Sequence, residues 1–156
     1  MLWRRRIEPL VRPFIYAWYR RTRGLTLGVR AVVVDGEGRV LLIEHTYVPG
    51  WHLPGGGVER GESAETALAR ELVEEAGVEL AGRPRLVSIH DHHAQHPGDH
   101  VLVYRCDRWR PCPATARGEI HRVGWFRPEA LPEGTTGSTR ARIVEALQGA
   151  PPDPRW

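Results

Sequence analysis

A glycine-rich loop running into a helix with an acidic face constrains this chain more than any other feature. The loop is Gly55-Gly56-Gly57-Val58-Glu59-Arg60-Gly61-Glu62. Ser63, a good N-cap, opens a helix expected to reach Ala76, with Gly77 as its stop. At ~100° per residue, Glu71, Glu74 and Glu75 fall within one sector about 100° wide. Leu68, Ala69, Leu72 and Ala76 cover an adjoining sector that can dock on a sheet, while Ala64 and Ala67 beside the carboxylates leave room for ions and substrate. Like charges three and four residues apart cost about 0.2–0.5 kcal/mol per pair, and only Arg70, at the edge of the acidic sector, supplies a cation. The bland reading is a solvated acidic face. The glycines shift that balance. They let backbone approach the carboxylates and offer a carbonyl from Gly55 or Gly56, and a hard divalent cation is bound by carboxylates, carbonyls, water and substrate phosphate.

The surrounding pattern suggests a sheet covered by helices. Ala31–Val34 and Arg39–Glu44 flank the turn signal Asp35-Gly36-Glu37-Gly38 and read as a hairpin. Leu86–His90 and Val101–Cys106 read as strands joined by a His-rich loop, Ile120–Phe126 as a further strand, and Ser138–Leu147 as a final helix with Ser138 or Thr139 near its cap. Residues 1–24 form a basic amphipathic extension, residues 25–149 the main domain and residues 150–156 a tail. In the extension Ile7, Leu10, Val11, Phe14, Ile15 and Trp18 recur at helical spacing among arginines, and Pro13 would kink or end a helix. Packing on its own domain or on a partner subunit, which admits a homodimer, is preferred for this segment over contact with an anionic membrane.

Composition narrows the chemistry. All 22 basic residues are arginine, which excludes a Walker-type phosphate loop and a Schiff-base lysine on this chain. Arginine still reads phosphate through its planar fork, and the formal charge of +3 suits an anionic ligand or plain solubility. Cys106 and Cys112 lack CxxC spacing, so neither a disulfide framework nor a zinc site is expected. The run from His90 to His100 fits no zinc motif and reads better as a loop at the rim of a site. With no signal sequence and no long apolar run, a soluble cytoplasmic protein is expected.

Gly56, Glu62, Arg70-Glu71-Leu72, Glu74-Glu75 and Gly77-Val78, at these spacings, resemble a complete Nudix box. Trp51-His52-Leu53-Pro54-Gly55-Gly56 resembles the family's approach to the box, and the likeness extends from about Leu27 to Leu147. The resemblance implies an α/β fold, an α/β/α sandwich with a mixed β-sheet. It implies Mg²⁺, or Mn²⁺, held by Glu71, Glu74 and Glu75, with Glu119 from a later loop and the Gly55 or Gly56 carbonyl. Glu71 or a neighbour such as Glu74 would orient or deprotonate water, Arg70 would brace a glutamate, and Glu62 would support the loop or an outer ion. The expected activity is hydrolysis of a diphosphate bond in a small nucleoside-diphosphate-linked substrate. The alternatives are an RNA 5′-end pyrophosphohydrolase and a non-catalytic nucleotide sensor, and no DNA partner is expected. Trp51 and Tyr47 could stack on a base, and His92 or His93 could read the substrate.

Overall fold

In the computed structural model, residues 24–115 and 118–156 are described; the expected amphipathic extension lies outside them except for Gly24. Strand β1 (Thr26–Val33) pairs in parallel with β6 (Asp99–Cys106), in register from Thr26 opposite Asp99 to Val33 opposite Cys106. The other edge of β6 pairs antiparallel with β5 (Arg85–Asp91), so this sheet is mixed, in the order β1-β6-β5. A second sheet, wholly antiparallel, has the order β3-β2-β8 from β2 (Val40–His45), β3 (Trp51–His52) and β8 (Ile120–Phe126). A small ladder joins β4 (Val78–Leu80) to β7 (Trp109–Pro111).

The expected hairpin forms its turn but not its ladder. The Asp35 N–H donates to the Arg39 carbonyl at 3.0 Å, and the Asp35 carboxylate accepts the Glu37 and Arg39 N–H groups, each at 2.9 Å. Beyond the single bridge Val34–Val40, β1 and β2 diverge into different sheets. The reason is competition for one edge of β1. Val29 N–H donates to the Gly56 carbonyl at 2.9 Å, Ala31 N–H to Pro54 at 2.9 Å, and Val58 N–H to Leu27 at 2.8 Å. The glycine loop therefore occupies the backbone groups that β2 would need.

Side-chain alternation along β1 builds two core layers. Val29, Ala31 and Val33 pack with Leu41, Leu102 and Tyr104 against Ala67 and Leu68 of helix α1 (Ala64–Glu71) and Leu72 just beyond it. Val32, Val34, Val40, Leu42 and Val103 pack against Ile143 and Ala146 of helix α2 (Gly137–Gln148). Helices thus cover both faces of the strands, the α/β/α arrangement. The cap of α1 is Ser63, which accepts the Thr66 N–H at 3.1 Å. Helix α2 is capped by Thr136, ahead of the expected Ser138 or Thr139, because Thr136 is the last extended residue and accepts the Thr139 N–H at 3.3 Å.

The final segment, expected only as a tail, docks on β5. Asp91 N–H donates to the Pro154 carbonyl at 2.7 Å and Trp156 N–H to the Asp91 carbonyl at 2.9 Å. Beneath it Arg142 Nη2 donates to Glu145 Oε1 at 2.6 Å, and buried His90 has its Nδ1 2.6 Å from the Asp153 carbonyl. No helix among the described residues is long and apolar enough to cross a membrane.

Gly55 should tolerate no side chain. Its φ is +137°, and a Cβ there would run into the Val29 carbonyl. Gly55→Ala is expected to cost at least about 2 kcal/mol, lowering the thermal midpoint by about 4–8 °C. Gly57→Ala, with open space around its Cβ, should leave the midpoint within about 1 °C. Equal midpoints for the two variants would contradict the clamped loop.

Candidate active site

The helix that carries the carboxylates changes its winding where they occur. After Glu71 the regular α-helix gives way to a π turn over Leu72–Ala76, closed by Gly77 in the left-handed conformation (φ 62°), whose N–H reaches back to the Leu72 carbonyl. A π turn carries an extra residue per turn and is frequent at functional sites. The uniform α spacing assumed for the sequence therefore fails over Glu74 and Glu75, and the three carboxylates separate into two groups. Arg70 Nη1 donates to Glu71 Oε1 at 2.8 Å and to Glu74 Oε2 at 3.3 Å, while Nη2 donates to Glu62 Oε1 at 2.9 Å and the Gly57 carbonyl at 3.1 Å. Glu62 also accepts the Glu59 N–H at 2.7 Å, which ties the loop to the same guanidinium. Glu75 belongs to the other group: it is 8% exposed and accepts the Gly55 N–H at 2.8 Å. Among the described residues no three His, Cys, Asp or Glu side chains lie together as a ready metal cluster.

What Glu71 and Glu75 share is a cavity of about 700 Å³, whose wall also includes Gly55, Gly56, Glu119 and Arg30. Two glycines make that proximity sterically feasible. A Cβ on Gly56 would collide with the Glu71 carboxylate, and one on Gly55 with β1. Of the two expected carbonyl ligands, that of Gly56 is turned to the Val29 N–H at 2.9 Å, whereas that of Gly55 takes no part in the ladder to β1. Glu119 is exposed on the cavity wall, its carbonyl accepting the Thr46 N–H at 2.9 Å. Glu74 does not line the cavity and its side chain is 39% exposed.

The expected substrate readers divide in the same way. Tyr47 is 68% exposed and lines the cavity, as does His92, whose ring is held by Asp99 at 3.0 Å and Gln95 at 2.8 Å. His93 is exposed outside the cavity wall, its Nδ1 accepting the Gly98 N–H at 3.0 Å. Trp51 is a correction to the stacking role: it is 7% exposed, in the core, with its ring edge-on to Phe126 at 4.9 Å. The Arg122 guanidinium lies over its ring, 5.1 Å from the centroid, where a base would stack.

The wall also includes Arg30, His45 and Trp156, to which no role was assigned from the sequence. Arg30 did leave a signal, since it is the one charged residue between Gly28 and Val34 in an otherwise apolar strand. Trp156 left none, because only docking of the tail places it there.

Burial pushes the Glu75 carboxyl up to about 7; the Gly55 N–H and Arg30 pull against that shift, while Glu71 and Glu119 add to it. The Glu62 carboxyl moves the other way, held below its usual value first by Arg70 and then by the Glu59 N–H. The carboxylates of Glu71, Glu75 and Glu119 on this wall are oxygen donors, the kind that a hard divalent cation takes.

Comparison with known proteins bears on the fold and the family. A family model described as the NUDIX domain matches residues 24–147. A MutT-like protein from Streptomyces ambofaciens is 33% identical over 132 residues, 83% of this chain and 82% of that protein. An RNA pyrophosphohydrolase from Dinoroseobacter shibae is 50% identical over 52 residues, covering 32% of each chain. Among solved structures, a MutT NUDIX hydrolase from Burkholderia pseudomallei superposes with a TM-score of 0.68 at 29% identity, covering 80% of this chain and 99% of that one. The chain belongs to the Nudix hydrolase family. Within it, the chain is a Nudix-type pyrophosphohydrolase, acting on acid anhydrides of phosphorus, and such hydrolases generally use divalent metal cations.

The elevated Glu75 carboxyl predicts a pH dependence of stability. Because its folded-state value of about 7 lies above the ordinary 4.5, the folded state holds this proton more tightly than the unfolded chain does. The resulting stabilisation, at most roughly 3 kcal/mol, is complete below about 4.5 and is lost as pH rises through about 7. In EDTA, the thermal midpoint of the wild type relative to Glu75→Gln should therefore fall between pH 4.5 and 7.5. A difference that stays flat over that range would rule out a buried, proton-binding Glu75.

Proposed function

We propose that this Nudix enzyme hydrolyses a diphosphate bond in a small nucleoside-diphosphate-linked substrate, using Mg²⁺ or Mn²⁺ held by Glu71, Glu75, Glu119 and the Gly55 carbonyl. The observation that carries the reading is that Glu71 and Glu75 share one cavity wall with Glu119 while the two glycines leave that wall free of side chains. Carboxylates so placed would repel a diphosphate unless a cation lay between them. Glu74, outside the cavity wall and paired with Arg70 at 3.3 Å, is not included in this donor set. When bound, the cation would neutralise diphosphate oxygens and lower the pKa of bound water.

The chain's own groups do the rest. Arg70 holds Glu71, and the Gly55 N–H holds Glu75, so both carboxylates are fixed before substrate arrives. The proton released by the attacking water would pass to a carboxylate of this wall. Tyr47 and His92 line the same cavity, which supports a role for them in contacting the nucleoside.

A second reading, hydrolysis at the 5′ end of RNA, is favoured by the local matches to RNA pyrophosphohydrolases, which span about a third of the Dinoroseobacter enzyme. The small substrate is preferred because the carboxylates stand in a cavity of about 700 Å³ whose wall, among the described residues, carries the single arginine Arg30 rather than a basic track.

A hydrolysis screen over nucleoside triphosphates, nucleotide sugars, ADP-ribose, dinucleoside polyphosphates and a triphosphorylated RNA oligonucleotide separates these readings. Turnover should require Mg²⁺ or Mn²⁺, be poorly supported by Ca²⁺, and place ¹⁸O from labelled water on one phosphate product. Glu71→Gln and Glu75→Gln should each lower kcat at least about a hundredfold, roughly 3 kcal/mol of barrier, without lowering the thermal midpoint in EDTA at pH 7.5. Undiminished cleavage in excess EDTA would end the metal assignment, and near-wild-type turnover in both variants would end the carboxylate assignment.

A further inference from the structure

Four buried side-chain atoms among the described residues lack a hydrogen-bond partner: Arg30 Nη1, His45 Nδ1, Arg142 Nε and Glu145 Oε2. The last two belong to the tail network, where the rest of each group is bonded. The first two belong to residues of the cavity that holds Glu71 and Glu75. We propose that Arg30 Nη1 and His45 Nδ1 form an anion subsite that binds a phosphate group of the substrate beside those carboxylates. This rests on the diphosphate hydrolase reading and deepens it, because it assigns substrate recognition to residues outside the glycine loop and its helix.

Arg30 stands near the middle of β1, between fully buried Val29 and Ala31. A guanidinium is all donor and stays charged in a protein, so a buried nitrogen without an acceptor is unfavourable unless a ligand supplies one. Arg142 shows how this fold treats a structural arginine: it gives it a carboxylate at 2.6 Å and a backbone carbonyl at 3.1 Å. Arg30 makes no ion pair among the described residues; the charges it feels most are those of Glu75 and Glu71. It also lines a neighbouring cavity of about 640 Å³.

His45 ends β2, where the pairing with β8 slips between Glu44 and His45. Burial, His52 and Arg30 keep its proton affinity below the usual value, and a neutral imidazole can carry its N–H on Nδ1. Two donors that face no protein acceptor suit an anion with several acceptor oxygens, and the fork of Arg30 matches phosphate in particular.

The test is calorimetric titration of inorganic pyrophosphate, in Mg²⁺ buffer, into the full chain and into Arg30→Met, Arg30→Lys and His45→Phe, with the thermal midpoint of each. Arg30→Met should weaken binding at least about tenfold and melt no lower than the wild type, since it replaces an unpartnered buried charge with an apolar chain of similar length. Arg30→Lys, which keeps the charge without the fork, should fall between them, and His45→Phe should weaken binding about threefold or more. Unchanged binding in Arg30→Met, no pyrophosphate binding by the wild type, or loss of folding in both Arg30 variants would overturn the subsite. Arg30-dependent binding in a protein that cleaves no nucleotide would keep the subsite and remove the hydrolase reading. Cleavage with an unchanged KM in Arg30→Met would do the reverse.

Discussion

The rest of the structure depends on one short set of backbone hydrogen bonds, those by which the glycine loop takes the second edge of β1. Each bond is individually worth only about 1 kcal/mol net, yet together they decide which strand may pair with β1. With Pro54, Gly56 and Val58 bonded there, β2 must join β3 and β8 instead, and the chain becomes two sheets. The same bonds bring the Gly55 N–H to Glu75 and set Gly56 against Glu71, so the clamp that organises the fold also assembles the carboxylate wall.

Electrostatics then divides the acidic residues by function. Arg70 gathers Glu62, Glu71 and Glu74, which offsets the repulsion that an acidic face would otherwise suffer and stiffens the loop. Glu75 has no such partner and is buried, so its charge is the expensive one. A cation bound at this wall would therefore favour the ionised form of the carboxylate that the fold alone disfavours, coupling metal affinity to folding and to pH.

The tail closes the arrangement at the far side of the cavity. His90, Arg142 and Glu145 are buried charged or polar groups that bond one another and take further bonds from the 153–156 backbone. Their satisfaction fixes Trp156 on the wall of both cavities, beside His92 at 5.9 Å between ring centres. A segment outside the matched domain thus shapes the volume that a substrate would enter.

Local chemistry was legible in the sequence because it depends on neighbours along the chain. Ser63 and Gly77 mark the ends of the carboxylate helix through capping and left-handed geometry, and alternation with turn residues marks β5, β6 and β8 within a residue or two. The spacing from Gly56 to Val78 was enough to indicate the family, since each position answers to a local contact between loop and helix. Tertiary structure decided what depends on distant partners. It separated β1 from β2 because the loop reached that edge first, and it buried Trp51 because β2 and α2 close over it. It widened the helix after Glu71, so that Glu75 turned to the loop while Glu74 stayed with Arg70. It also brought Trp156 to one cavity with Arg30 and His45, from which it lies more than a hundred residues away in the chain. Spacing reports which residues share a face of one element, whereas a cavity is made where faces of several elements meet, and that meeting is set by packing and hydrogen bonds that no local pattern contains.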